Sequence, residues 1–181
     1  MKRTVVLAWL TVAFAGMNLG CMSRMISEGM GTVTGAAGKV VDIKSGAMLT
    51  SYKGLKVESV TAAAGLPAPA DLAGFLRAEL SEAAAKKGLR AGGEPSLKLT
   101  AEVVHYETGG IVDEAIGPLQ EVIVRTKLTD AKSGNIVSEA NLVGRSKATT
   151  SGGPENLAKG VGKALDKWLE QQGLKNMEAA K

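Results

Sequence analysis

The sequence has few of the residues from which metal and nucleophilic centres are built, because its 181 residues include one cysteine and one histidine. A lone cysteine cannot form a disulfide within its own chain, so the fold must be stabilised by its core. No second histidine or free cysteine can join His105 in a metal site of the usual kind. His105 ends a predicted strand on the side of the apolar residues, so we interpret it as a histidine at the edge of the core.

Aromatic residues are also scarce, and neither sign of charge is in large excess. Aromatic side chains make up 3% of the sequence, which weighs against a carbohydrate site or a platform for stacking bases. Lys2 and Arg3 precede residue 21, so residues 21–181 carry 20 basic and 18 acidic side chains. Binding to phosphates needs clustered lysine and arginine, so we exclude nucleic acid as a partner.

A hydrophobic run long enough to cross a bilayer is missing. After Lys2 and Arg3, the uncharged run Thr4 to Met17 contains 14 residues. As a helix it would be roughly 21 Å long, against the roughly 30 Å of a hydrocarbon core. A basic start followed by a short apolar run is typical of a secretory signal peptide, which we assign to residues 1–20.

The cysteine follows this run in the stretch Asn18-Leu19-Gly20-Cys21, which resembles the lipobox of bacterial lipoproteins. The resemblance implies cleavage between Gly20 and Cys21, a diacylglyceryl group on the Cys21 thiol and an acyl group on its freed amine. It implies no other cofactor. Met22 stands where an aspartate would favour the inner membrane, which implies a lipid-anchored protein on the periplasmic face of the outer membrane. The alternative is a secreted protein with an unused thiol.

Residues 21–54 are rich in glycine and allow two interpretations. Repeated glycines predict a flexible tether between the lipid and the domain. Apolar residues from Met22 to Val41 also recur at steps of three and four, as on one face of a membrane-proximal helix. We favour the tether, because each interior glycine costs a helix about 1 kcal/mol.

Residues 55–173 predict an α+β domain in the order strand, helix, three strands, helix. Alternating apolar residues mark the strands, and stripes at helical spacing mark helices over 72–87 and from Pro154 to Gly173. Asp71 is placed to cap the first helix, while Gly88 and Gly134 are placed to adopt positive φ. We expect a two-layer sandwich, with a mixed four-stranded sheet and both helices on one face. Residues 174–181 are interpreted as a flexible tail.

The polar face of this sheet is the candidate interaction surface. It is predicted to hold four possible partner-binding residues, Tyr106, Arg125, Lys127 and Arg145. An exposed strand edge, to which a partner could add a strand, is a second possibility. The loop from Glu107 to Pro118 carries Asp113 and Glu114, which we interpret as solvated carboxylates. No catalytic and no metal-binding residue is predicted.

The stretches "AEVVHYETGG" and "VIVRTKLTDAKSGNIV" resemble a family of uncharacterised bacterial lipoproteins. The layout is similar to the amino-terminal domain of the TolB translocation protein. The resemblance implies a non-enzymatic accessory or protein-interaction module of a cell-envelope assembly, with a protein partner in the envelope. A small carrier of a lipid or other hydrophobic ligand is the alternative. The oligomeric state stays open.

Overall fold

The computed structural model describes residues 36–46, 48–107, 120–146 and 153–176. These residues form one sheet and two helices. The elements in chain order are β1 (Ala36–Lys44), β2 (Gly54–Ala62), α1 (Leu72–Lys86), β3 (Ser96–Glu107), β4 (Glu121–Asp130), β5 (Ile136–Ser146) and α2 (Pro154–Gln171). One 3-10 turn, Leu49–Ser51, lies between β1 and β2.

The strand order across the sheet is β1-β5-β4-β3-β2. β2 and β3 run parallel, because the crossover between them contains α1, and the other neighbours pair antiparallel. α2 packs on β1 and β5, α1 packs on β2, and the two helices contact each other, so both cover the same face. The α+β class is confirmed, but the sheet has five strands and not four.

The additional strand, β1, lies inside the region that we interpreted as a tether or a membrane-proximal helix. Its residues Ala36 to Asp42 pair in continuous register with Ser146 to Ala140 of β5. The β-branched side chains of Val40, Val41 and Ile43 favour an extended chain, and a free sheet edge beside β5 supplies the partner. The domain therefore includes residues from 36 onward and does not begin at 55. Residues 21–35 lie outside the described part.

The core lies between the sheet and the helices, and it contains most of the residues that the alternation and the helical stripes predicted. Leu49, Leu89 and Leu174 also belong to it and were not predicted, while Ile136, which the alternation of β5 predicts to be buried, is exposed. Trp168 of α2 is the largest side chain with no exposed surface. Gly88, Gly134 and Gly173 have φ of 78°, 73° and 92°, as expected at ends and turns. Asp71 occupies the cap position of α1, but its side chain makes no capping hydrogen bond.

The predicted tail does not begin at 174. The Leu174 side chain is buried in the core, and its N–H donates to the Leu169 carbonyl at 3.0 Å. The positive φ of Gly173 turns the chain back after α2 and allows this contact. Residues 177–181 lie outside the described part, so the interpretation of the last residues stays a prediction.

Three glycines let α2 lie directly on the backbone of β1 and β5. A Cβ atom at Gly144 would lie 2.3 Å from the Leu157 carbonyl oxygen, and one at Gly38 would lie 2.4 Å from that of Gly160. A Cβ at Gly160 would in turn lie 2.7 Å from the Ala37 carbonyl oxygen. No side chain fits in these gaps, so α2 holds β1 in place by close backbone contact.

Candidate functional site: the open face of the sheet

The helices cover one face of the sheet, and the other is here called the open face. Its residues can be identified from the strand register and from burial. Val122, Val124 and Leu128 of β4 are buried, so they face the helices. The residues between them and their cross-strand partners point the other way. The central members of the open face are Lys98, Thr100, Glu102, Ile123, Arg125, Lys127, Glu139, Asn141, Val143 and Arg145.

Three of the four predicted partner-binding residues lie on this face. Arg125 and Lys127 alternate on β4, where Arg125 is opposite Asn141 and Lys127 is opposite Glu139. Arg145 lies on β5, closer to the end of the sheet where β3 finishes. These three residues lie on the face on which the alternation placed them, and their role in binding a partner stays a prediction.

Tyr106 is not on the open face, and the sequence prediction for its position is wrong. The register of β3 against β4 shifts between Val103 and His105, so Tyr106 pairs with the buried Val122. Tyr106 packs against the core, and burial, followed by the charge of Asp71, raises the pKa of its hydroxyl. A β-bulge inserts one residue and exchanges the faces of everything after it, which strict alternation cannot anticipate.

The same bulge moves His105 to the open face, so the interpretation as a core-edge histidine is also wrong. His105 pairs with Ile123, and its Nε2 lies 3.7 Å from a Glu107 carboxylate oxygen. Both side chains are well exposed. His105 is therefore a surface residue of the open face.

Carboxylates hold the arginines of the open face in position. Arg145 donates a short hydrogen bond from Nε to Glu121, its cross-strand neighbour. Arg125 Nε lies 3.9 Å from Glu139, whose side chain is mostly covered. Lys127 has no ion pair or hydrogen bond within the described part of the chain, so its ammonium group is available to a partner. The face therefore presents oriented charges of both signs.

An apolar pair interrupts these charges and was not predicted. Val143 of β5 and Ile123 of β4 lie opposite each other on the open face. Val143 exposes 6% of its surface although it does not belong to the main core cluster. Alternation in "ANLVG" predicts a buried Leu142 and an exposed Val143, so it does not anticipate that both are covered.

A few large apolar side chains are exposed on β1, after it and at the start of β5. Lys44 Nζ donates to the Ile136 carbonyl at 3.3 Å. The large apolar side chains exposed in the described residues are Val41 at 44%, Ile43 at 48%, Met48 at 62% and Ile136 at 42%. Val41 and Ile43 lie on β1, and Met48 follows it.

Both edges of the sheet are shielded. On β1, the Ala36 and Gly38 carbonyls accept hydrogen bonds from Lys163 Nζ at 3.0 Å and Lys167 Nζ at 3.1 Å. On β2, the Val57 carbonyl accepts one from Arg77 at 2.8 Å. Each edge strand also has an irregular register near its exposed part. Bulges and basic side chains disfavour strand addition, so the open face is the better candidate than an edge.

Several predicted positions lie outside the described residues. They are Gly20 and Cys21 at the lipobox and Asp113 and Glu114 in the loop after β3. Over the ranges that the structure does describe, no three histidine, cysteine, aspartate or glutamate residues are grouped so that they could hold a metal ion. Within the same ranges, neither helix combines the length and the apolar character that crossing a membrane requires.

Solved structures match this chain over most of their own length. PelC from Paraburkholderia phytofirmans, crystallised as a dodecamer, matches with a TM-score of 0.52 and 13% identity, over 78% of this chain and 99% of that chain. A DUF330 protein from Xanthomonas campestris gives 0.45 and 14%, over 73% and 90%. A minor lipoprotein from Acinetobacter baumannii gives 0.24 and 18%, over 63% and 87%. At this identity the similarity to PelC concerns the fold alone.

No family model matches the sequence, and no curated protein matches it. The similarity of layout to the TolB amino-terminal domain stays a prediction.

Proposed function

We propose that this chain is a non-enzymatic lipoprotein that associates with copies of itself and serves as a protein-interaction module of a cell-envelope assembly. It is anchored through acylated Cys21 to the outer membrane and faces the periplasm. The observation that carries the proposal is the fold, which spans 99% of a PelC chain described as a dodecamer. The lipobox-like stretch before the domain supplies the anchor.

The geometry of the open face supports an interaction role. Arginine side chains that are already oriented by carboxylates lose less conformational entropy when they meet a partner. Arg125 and Arg145 are held in this way, while Lys127 next to them is unpaired within the described part. The open face therefore offers fixed hydrogen-bond donors beside one adaptable cation.

The anchor and the fold support each other. Two or three acyl chains make desorption from a membrane negligible, so Cys21 would concentrate the domain at one surface. High local concentration favours contacts between copies that are weak in solution. A well-packed core with a polar open face suits a module that binds other proteins.

A photocrosslinking experiment tests the proposal in intact cells. A photoreactive amino acid replaces Lys127 or Arg125 on the open face, or Ser81 on the exposed side of α1 as the matched control. We expect the Lys127 position to capture an identified envelope protein or a copy of this chain, and the Ser81 position to capture neither. Equal capture from the two positions, or none from Lys127 and Arg125, would contradict an interaction role for this face.

The carrier of a hydrophobic ligand stays the alternative. Nothing in the described part of the chain favours it, because the inner face of the sheet is closed by the two helices and the core side chains between them. Extraction of a bound lipid in a one-to-one ratio from the purified protein would revive it.

A further inference from the structure

We infer that a basic area of the open face binds an extended, acidic segment of another protein of the cell envelope. This inference rests on the proposed interaction role and names the chemistry of the partner. The area comprises three lysines and three hydroxyl side chains on β2, β3 and β4. These residues, here called the lysine grid, are Lys56, Lys98, Lys127, Ser59, Thr100 and Thr129.

The first row of the grid follows from the strand register. Lys56 of β2 pairs with Lys98 of β3, and Lys98 pairs with Thr129 of β4. Leu97 and Leu99, on either side of Lys98, are fully buried in the core, so Lys98 and its two cross-strand partners point to the open face. Two ammonium groups and a hydroxyl group therefore lie side by side on neighbouring strands.

The second row lies directly beside the first. Ser59 pairs with Thr100, and Thr100 pairs with Lys127. Thr100 is two residues after Lys98, and residues two apart on a strand point to the same face, so this row is also on the open face. Lys127 is then a diagonal neighbour of Lys98, and such neighbours are about 7–8 Å apart.

Few carboxylates compensate these lysines. Glu58 lies 3.1 Å from Lys98 Nζ, and both side chains are exposed. Glu139 lies opposite Lys127 but is paired with an arginine. Lys56 and Lys127 form no ion pair or hydrogen bond within the described part of the chain. Like charges on neighbouring strands repel each other, so a negative group brought by a partner would stabilise the adjacent Lys56 and Lys98.

An extended acidic segment fits the spacing of the grid. In an extended chain, residues two apart lie about 7 Å apart and point to the same side. This distance matches the diagonal between Lys98 and Lys127. Carboxylates at alternate positions can therefore reach both ammonium groups, and the hydroxyls of Thr100 and Thr129 can donate hydrogen bonds beside them.

The position of the grid favours a polypeptide over phospholipid headgroups. β1 begins at the opposite end of the sheet, where Ala36 pairs with Ser146. An anchor that precedes β1 is therefore attached at the end away from the grid. At that end Glu107 and Glu121 lie opposite each other, and their carboxylates disfavour anionic headgroups. With the start of β1 toward the membrane, the grid faces the periplasm.

Binding of a defined peptide tests the inference. The full chain, purified in a non-ionic detergent, is titrated against a fluorescent peptide of alternating glutamate and threonine, and fluorescence anisotropy measures binding. A peptide of alternating glutamine and threonine is the control. We expect the glutamate peptide to bind and the glutamine peptide not to bind. Absence of binding to the glutamate peptide would overturn the inference.

Matched substitutions separate the grid from the overall charge. Lys56→Gln combined with Lys127→Gln should weaken binding of the glutamate peptide about tenfold, as the loss of two exposed ion pairs does. Lys39→Gln combined with Lys175→Gln removes the same charge from exposed positions outside the grid and should leave the affinity nearly unchanged. Lys56→Arg combined with Lys127→Arg keeps both charges and should keep the affinity. Equal weakening by the two glutamine pairs, or no weakening by the first, would overturn the grid as the site.

Competition distinguishes a carboxylate partner from a phosphate one. Glycerophosphoglycerol, the headgroup of phosphatidylglycerol without its acyl chains, and inorganic phosphate are added to the labelled complex. We expect neither to displace the peptide as well as the unlabelled glutamate peptide does at an equal concentration of negative charge. Equal or better displacement by either phosphate compound would show that the grid binds phosphate groups, and the inference would fail.

Photocrosslinking in cells separates this inference from the proposed function. A photoreactive residue in place of Arg125, next to the grid, should capture an envelope protein, and Lys56→Gln combined with Lys127→Gln should lower the yield. Undiminished capture, or capture of nothing but a copy of this chain, would overturn the acidic segment as the partner and leave the interaction role in place. If neither Arg125 nor Lys127 captures a partner in the parent chain, the proposed function itself fails.

Discussion

At the scale of single residues, glycines determine how closely the two layers approach. Gly144 and Gly160 lie against each other, since a Cβ at Gly160 would be 2.8 Å from the Gly144 Cα. The sequence shows where glycines are, but a glycine in a tight contact and a glycine in a linker look the same. Gly38 was therefore taken for part of a tether, although it lies under α2.

Gly144→Ala should lower the free energy of unfolding by about 1–3 kcal/mol, because the added methyl group overlaps the Leu157 carbonyl and the backbone must shift. Gly74→Ala is the matched control on α1, where no atom lies within 4 Å of the added Cβ. This control should raise stability by about 0.5–1 kcal/mol. Denaturant unfolding measures both, and equal effects of the two substitutions would contradict the close approach of α2.

The turn between β4 and β5 depends on a carboxylate that the sequence assigned only to a hairpin. Asp130 accepts hydrogen bonds from the N–H groups of Ser133 at 2.6 Å and Lys132 at 3.1 Å. It also accepts one from the Tyr52 hydroxyl at 3.0 Å. The Ser133 backbone, followed by the Ser133 and Tyr52 hydroxyls, lowers the pKa of Asp130 below its ordinary value of 3.8.

Asp130→Asn should make the free energy of unfolding depend less on pH in the acidic range. A carboxyl group whose pKa is lowered by folding stabilises the fold fully above its unfolded pKa of 3.8. This contribution disappears as the pH falls through the lower pKa of the folded state. The wild type should therefore exceed Asp130→Asn in stability at neutral pH, and the difference should shrink in acid. A difference in stability that is constant from about pH 6 to about pH 2 would contradict this role.

At the scale of elements, the helices and strands with a strong periodic pattern of apolar residues were predicted from the sequence. α1, α2 and β2 to β5 follow from stripes and alternation, and glycines at 88, 134 and 173 end elements as expected. β1 was missed because "GKVVDIK" satisfies two periods, and the choice depends on a partner, β5, more than ninety residues away. Tyr106 was misplaced because a bulge has no signal in the alternation of β3.

A buried lysine pairs with partly exposed carboxylates between the two helices. The Lys87 side chain, just after α1, is fully buried, and its Nζ lies 3.3 Å from Asp166 and 3.8 Å from Glu170 of α2. This contact depends on how the helices pack, and the spacing of residues along α2 does not predict it.

Asp166→Ala should destabilise the fold by about 2–3 kcal/mol, because it leaves the Lys87 ammonium buried with one distant carboxylate. The double substitution Lys87→Met and Asp166→Ala should recover most of this loss, because it removes the unpaired charge. Glu82→Ala, which breaks an exposed pair with Lys86 on α1, should change stability by less than about 0.5 kcal/mol. A double substitution as unstable as Asp166→Ala alone would show that the charge is not the cause.

At the scale of the whole molecule, the helices cover one face of the sheet, and the open face carries charged side chains beside the covered Val143. Shielded edges disfavour extension of the sheet. The open face is therefore the surface that we propose for contact with other molecules. The proposed anchor, Cys21, precedes β1 in the sequence, and the alternation and burial of residues in the domain do not bear on it.

Cys21→Ala should release the protein from the membrane, because acyl chains on Cys21 are proposed to hold it there. Fractionation of cells followed by immunoblotting measures the distribution. Ser23→Ala, two residues along, is the control and should stay with the membrane. If Cys21→Ala stays there too, lipid on this residue is not the anchor.

Native mass spectrometry of the wild-type protein, released from membranes by mild detergent, tests anchoring and self-association together. We predict particles that contain several copies, each starting at Cys21 and carrying the mass of two or three acyl chains. Single copies, or chains that keep residues 1–20 and bear no lipid, would contradict an acylated envelope module that works by assembling with itself.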